Sequence, residues 1–156
     1  MELDDGTVIS ESISICRYLE EIYPNPALFG TTAETRAIID MWLRRFELDG
    51  FLPMLHAVRN HLENFKGRVI PGTRTDLPQV PQMVTRGIEM GKMFLERVEP
   101  HMAENEFVAG SRFSVADITA FFTIKLTTPL KIDINASYPG VAAWMDRMSK
   151  REAFNI

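Results

Sequence analysis

The sequence predicts a mainly helical protein, with a small α/β element at its N-terminus followed by an all-helical body. Two observations carry this. Residues 2–9 are the only stretch with a convincing β signal, and nearly everything between the Pro/Gly-bearing stretches at 24–30, 67–81 and 129–140 keeps helical spacing. A third bounds the size: 156 residues suffice for one ordinary domain but not for two large ones.

In the N-terminal element, Asp5-Gly6 is a hairpin-turn dipeptide and Thr7-Val8-Ile9 a short β-branched run. Because a lone hairpin is marginal in water, this one is expected to belong to a larger sheet or to pack on a helix. A helix follows from Ser10, with Ser10 and Ser12 both candidate N-caps and Glu11 suited to the positive end of the dipole. Ile15, Tyr18, Leu19 and Ile22 form one apolar stripe, and Tyr23-Pro24-Asn25-Pro26 ends the helix. Leu28-Phe29-Gly30 reads as a linker with two apolar plugs.

The helical body opens with a long helix over 32–65, its buried side marked by Ile38, Met41, Trp42, Phe46 and Leu52. Pro53 is expected to kink or break it near Phe51, and Gly67 to stop it. Residues 67–81 read as a loop. The next helix covers 80–102, where Gly87 and Gly91 share one face. Each costs about 1 kcal/mol against Ala, which close approach of a neighbouring helix would offset. Ser114-Val115-Ala116-Asp117 is a capping box with Asp at its third position, and Phe113 and Ile118 are placed as a hydrophobic staple. The helix it opens is apolar or small nearly all round and should be central. Pro139 starts the last helix, with Val141, Trp144, Met145 and Met148 as its stripe.

Composition narrows the function classes. Apolar residues are 46% and charged residues 24%, ordinary for a globular chain. Lys plus Arg number 17 against 21 Asp plus Glu, a formal net charge of −4 that disfavours a dedicated nucleic-acid binder. The longest apolar stretch, 118–124, is too short to cross a bilayer, and the N-terminus lacks the pattern of a signal peptide. The single cysteine, Cys16, excludes an internal disulfide, fits a reducing, cytoplasmic compartment, and is expected to be buried and inert. His56, His61 and His101 lack metal-ligand spacing, so no metal site is expected. Arg44-Arg45 beside Phe46 is read as a solvated face next to a core aromatic, or else as the lining of a pocket for an apolar substrate.

The run from Leu3 to Ser12 followed by Ile15, Tyr18 and Leu19 resembles the end of the thioredoxin-like domain of bacterial-type glutathione S-transferases. Leu28-Phe29-Gly30 resembles the family's interdomain linker. Phe107-Val108-Ala109-Gly110, Phe113-Ser114 and Ala116-Asp117-Ile118 resemble its C-terminal-domain capping motif, and Pro139, Trp144 and Phe154 fit its closing helix. The resemblance spans the chain in the family's order. It implies a remnant of the thioredoxin-like domain at 1–26, made of the β-hairpin and helix, and the all-helical C-terminal domain at 27–156.

The same resemblance makes Glu11 and Ser12 the glutathione-binding pair. A helix N-terminus, a hydroxyl and a backbone N–H suit the γ-glutamyl carboxylate, and Glu11 suits the amine. Ser114 and Asp117 take the structural capping role. Glutathione would be co-substrate, with no other cofactor, and the assembly a homodimer with no nucleic-acid, membrane or metal partner. The family's first strand, helix and second strand are expected to be missing, and with them the Tyr, Ser or Cys that contacts the sulfur. Conjugation of glutathione to electrophiles is therefore the implied reaction of a complete member, and a non-catalytic helical binding or scaffolding module is the alternative for this chain.

Overall fold

In a computed structural model, which describes residues 1–154, the chain is mainly helical. Helices α1 (Ser12–Ile22) and α2 (Ala33–Arg45) are followed by a π-helical turn (Phe46–Phe51), α3 (Leu52–His61) and a 3₁₀ turn (Glu63–Phe65). Then come α4 (Pro81–Glu104), α5 (Val115–Lys125), α6 (Ile134–Ser137), α7 (Pro139–Ser149) and a last 3₁₀ turn (Glu152–Phe154).

The expected hairpin does not develop into strands. Among the described residues the N-terminal segment closes through one isolated antiparallel bridge, Glu2 to Val8. The turn also differs from the two-residue form the Asp5-Gly6 pair implies. The Gly6 N–H donates to the Leu3 carbonyl at 2.9 Å, and Leu3 N–H to the Thr7 carbonyl at 2.9 Å. Of the pair only Gly6 has positive φ, 83°. This is a three-residue loop with glycine in the left-handed position. Among the described residues no strand pairs with it, and so short a ribbon is marginal by itself.

Helix α1 ends at Ile22 before the proline run, but neither Ser10 nor Ser12 caps it. The N-cap is Glu11, with φ 69° and ψ 126° and no side-chain capping bond. The long helix expected over 32–65 is two helices with a π-helical turn between them. Proline has no N–H to donate and its ring crowds the carbonyl four residues back. The wider turn just ahead of Pro53 accommodates it without a break. The chain leaves helical geometry after His61, short of Gly67. Of the expected buried side, Phe46 is in the core and Trp42 packs against it, while Ile38, Met41 and Leu52 are exposed; Leu43 on α2 and Met54, Ala57 and Val58 on α3 are buried as well. Phe46 and Trp42 thus fall where the sequence pattern put them, and the other three do not.

The core is assembled around α5, whose Ala116, Ala120, Phe121 and Ile124 are buried. They share one cluster with Phe46, Met54, Phe94, Leu95, Val98, Val141, Trp144 and Phe154. Helices α3 and α4 meet closely at the two glycines: a Cβ on Gly87 would stand 2.8 Å from the Ala57 Cβ, and one on Gly91 2.7 Å from Met54 Cγ. Helix α7 begins at Pro139, and the N–H groups of Gly140 and Val141 donate to the Glu99 carboxylate at 2.6 and 2.8 Å.

Candidate functional site: a polar cleft at the N-terminus of α1

Helix α1 has no fully buried residue, so side contacts fix its position. Ile13 packs on the small cluster of Phe29, Leu43 and Val115. The Glu20 carboxylate accepts the N–H of Leu28 at 2.6 Å and of Phe29 at 3.0 Å, tying α1 to the linker. The Arg17 guanidinium stacks 4.6 Å from the Phe29 ring and pairs with Asp40 on α2.

These contacts set the first turn of α1 against one face of α2 and enclose a cleft of about 320 Å³. Glu11, Ser12, Arg17, Asp40, Arg44 and Glu47 supply its polar lining. Arg44 pairs with Glu47 at 2.6 Å. The cleft thus carries charges of both signs, two guanidinium groups against three carboxylates. The N–H groups of the first helical turn have no intrahelical acceptor and face the N-terminal end. Glu11 holds the backbone conformation that aims them, in a region L-residues rarely occupy, at a cost of order 1–3 kcal/mol. Strain of this kind, at a residue lining a polar cleft, is characteristic of binding sites.

The structure thus brings Glu11 and Ser12 together in one exposed corner. It adds Arg17 and Asp40, which sequence reasoning missed. Their pairing joins residues 23 apart on different helices, and no local spacing announces it. Arg44 reaches this polar cleft, not an apolar one. Arg45 lies over Trp42 at 4.9 Å, and Phe46 is fully in the core. Cys16 is exposed, contrary to the expectation of burial, because the side of α1 that carries it has nothing packed on it.

Ser114 and Asp117 lie elsewhere, fully inside the helical body. Asp117 Oδ2 accepts the Ser114 N–H at 2.8 Å, and Oδ1 accepts the Val108 N–H at 2.8 Å. The expected capping box is present, with the Ser114 side chain facing the Asp117 N–H, and the Ser114 hydroxyl also donates to Asp117 Oδ2 at 3.1 Å. Two N–H donors already converge on this buried carboxylate, and its charge draws the hydroxyl as a third. Phe113 and Ile118 pack against the main core from either side of the cap.

Among the described residues no helix is long and apolar enough to cross a membrane, and no three His, Cys, Asp or Glu side chains gather as metal ligands would.

Comparison with known proteins identifies the fold. Residues 87–152 match the family model of the glutathione S-transferase C-terminal domain. The chain is 27% identical to glutathione S-transferase 2 of Saccharomyces cerevisiae over 97% of its own length and 62% of that protein's. Among solved structures, a glutathione S-transferase of class Gtt2 from Vibrio parahaemolyticus superposes with a TM-score of 0.82 at 33% identity. It is matched over 99% of this chain and 68% of its own. A glutathione S-transferase domain-containing protein from Marinobacter aquaeolei gives 0.82 at 31% identity, over 99% and 73%. With identity above 30% over more than two thirds of two solved structures, the chain belongs to the glutathione S-transferase family.

Proposed function

We propose that the cleft at the N-terminus of α1 binds the γ-glutamyl end of glutathione. The observation that carries this is the strained Glu11 beside Ser12 in a cleft lined by both signs of charge. A γ-glutamyl group presents an ammonium and a carboxylate on one carbon. Glu11 offers a carboxylate to the ammonium, and the Ser12 hydroxyl and first-turn N–H groups suit the carboxylate. The reaction this serves is conjugation of glutathione to electrophiles, as the family name of the relatives implies. Residues 1–26 then act as part of a thioredoxin-like glutathione-binding unit and 27–156 as the helical domain, in a cytoplasmic homodimer.

Two charge-assisted contacts of about 1.5–3 kcal/mol each correspond to millimolar affinity once the cost of association is met. Conjugation needs more, because a thiol with a reference pKa of about 8.5 is only a few per cent ionised at neutral pH. The deciding experiment is calorimetry of glutathione with the 156-residue chain, beside Ser12→Ala and Glu11→Gln. Saturable binding that weakens at least tenfold in either variant supports the site. A folded chain without binding favours a second reading, a non-catalytic helical binding module, for which the exposed Leu19, Ile22 and Tyr23 on and beside α1 would be the contact residues.

A further inference from the structure

A second cleft, of about 360 Å³, lies at the far end of α3. At 1.5 Å per residue, Arg59 is roughly 20 Å along the helical axis from Arg44. Three arginines line it: Arg59 from the last turn of α3, and Arg68 and Arg74 from the loop that follows. Among the described residues none of the three takes part in an ion pair. The paired cations are Arg17, Arg44, Lys66, Lys92, Arg97 and Lys150. Of the acids in this stretch, Glu63 is engaged with Lys66, and Asp76, in the same loop as Arg74, is not among the residues lining the cleft.

Arg59 is held in place by the framework around it, and the loop that carries Arg68 and Arg74 is pinned through its backbone. Arg59 Nη1 donates to the Arg68 carbonyl at 2.6 Å, and its guanidinium lies over the Phe65 ring at 4.8 Å. Its Nε–H is shielded from solvent and has no acceptor. The loop is pinned by Arg68 N–H to the Phe65 carbonyl at 2.8 Å and by Thr75 N–H to the Gly67 carbonyl at 2.9 Å. Gln79 Nε2 ties it back to α3 through the Arg59 and Leu62 carbonyls at 2.8 and 2.7 Å. Gly72, with φ 70° and open space where a Cβ would be, leaves the backbone of the cleft approachable, and Thr73 adds a hydroxyl.

With no carboxylate in the cleft's lining, the three like charges repel one another unless an anion joins them. The planar fork of a guanidinium matches the oxygens of a phosphate. The cleft has the volume of a small molecule, and a net charge of −4 disfavours a polyanion as its ligand. We propose that this cleft binds a small phosphorylated molecule, its phosphate held among Arg59, Arg68 and Arg74. The site is separate from the cleft at α1 and does not depend on the function proposed there.

The test titrates the 156-residue chain with inorganic phosphate and with phenyl phosphate, by calorimetry and by amide chemical shifts, at low ionic strength. The variant is R68A/R74A, with Arg59 left in place because it braces the loop. The expected result is saturable binding, at least tenfold weaker in R68A/R74A and unchanged in Ser12→Ala, with the shifted amides confined to 59–75. Tighter binding of phenyl phosphate identifies an ester as the ligand, and equal binding identifies the oxyanion itself. Absence of saturable binding, equal binding by the variant, or shifts that map to another part of the chain would overturn the proposal. The amide map on the unaltered chain decides the matter even if the variant fails to fold.

Discussion

The Asp117 carboxylate has no solvent to turn to and accepts hydrogen bonds from Val108 N–H, Ser114 N–H and the Ser114 hydroxyl. Asp117→Ala strands two buried N–H donors, each worth about 1–3 kcal/mol when unmet. Urea unfolding should therefore show a loss of about 3 kcal/mol. A loss below about 1 kcal/mol would mean that water replaces the carboxylate. Burial, the largest influence, pushes the Asp117 carboxyl above its ordinary 3.8, against the pull of the Val108 and Ser114 donors. The folded state then keeps this proton to higher pH than the unfolded chain. Between the two values the folded state binds more protons, and its stability falls as pH rises. Below 3.8 both states are protonated and the penalty is absent; above the folded value it is complete. The stability advantage of the unaltered chain over Asp117→Asn should accordingly shrink as pH rises from 3.8. An advantage that grows over that window would refute this reading. Ser114 and Asp117 were legible in the sequence because a cap is written within four residues. The strain at Glu11 was not, since nothing in Ser10-Glu11-Ser12 declares a positive φ on a glutamate. Glu11→Gly removes that strain and should raise stability by about 1 kcal/mol, while abolishing whatever ammonium binding the carboxylate provides.

Between elements, the contact of α3 with α4 depends on what is missing from two residues. Gly87 lies beneath the Pro53 carbonyl and Ala57, and Gly91 beneath Met54. Helix propensity alone would make Gly87→Ala stabilising by about 1 kcal/mol. The added methyl meets backbone at Pro53, which cannot swing aside as a side chain can, so overpacking at about 1–3 kcal/mol or more prevails. Thermal unfolding should show a lower midpoint for Gly87→Ala. A raised midpoint would mean that the two helices can part without cost. The glycine pair was readable from its four-residue spacing, and so were α5 and α7, whose patterns are long and carry their own start signals. The π turn at 46–51 was not readable. It lies between a proline that has no N–H to give to the preceding turn and core residues on both sides that must stay buried, and that balance is set by partners far away in sequence.

At the scale of the whole molecule, α1 stands apart from the body. The main core draws on the π turn and on helices α3, α4, α5 and α7, with α2 and α6 packed against it, while α1 contributes only Ile13 to a small satellite cluster. Its sequence stripe of Ile15, Tyr18, Leu19 and Ile22 is a true amphipathic face, as the spacing indicated. Periodicity shows that such a face exists, though, and is silent on whether anything covers it. Here Leu19 is 40% and Ile22 47% exposed, with Tyr23 beside them at 70%. An apolar face open to water favours association with whatever can cover it, and in a pure solution of this chain that is another copy. Sedimentation velocity should show self-association that strengthens with protein concentration. Leu19→Gln/Ile22→Gln should reduce it by removing apolar area at the contact. Because neither residue is buried in the single chain, the double variant should keep the unfolding midpoint of the unaltered protein at low concentration, where association is negligible. A midpoint that falls with the substitutions would show that the stripe packs within its own molecule. Unchanged association would place the contact on another face, such as that carrying Met41, Leu48 and Leu52 on α2, the π turn and α3.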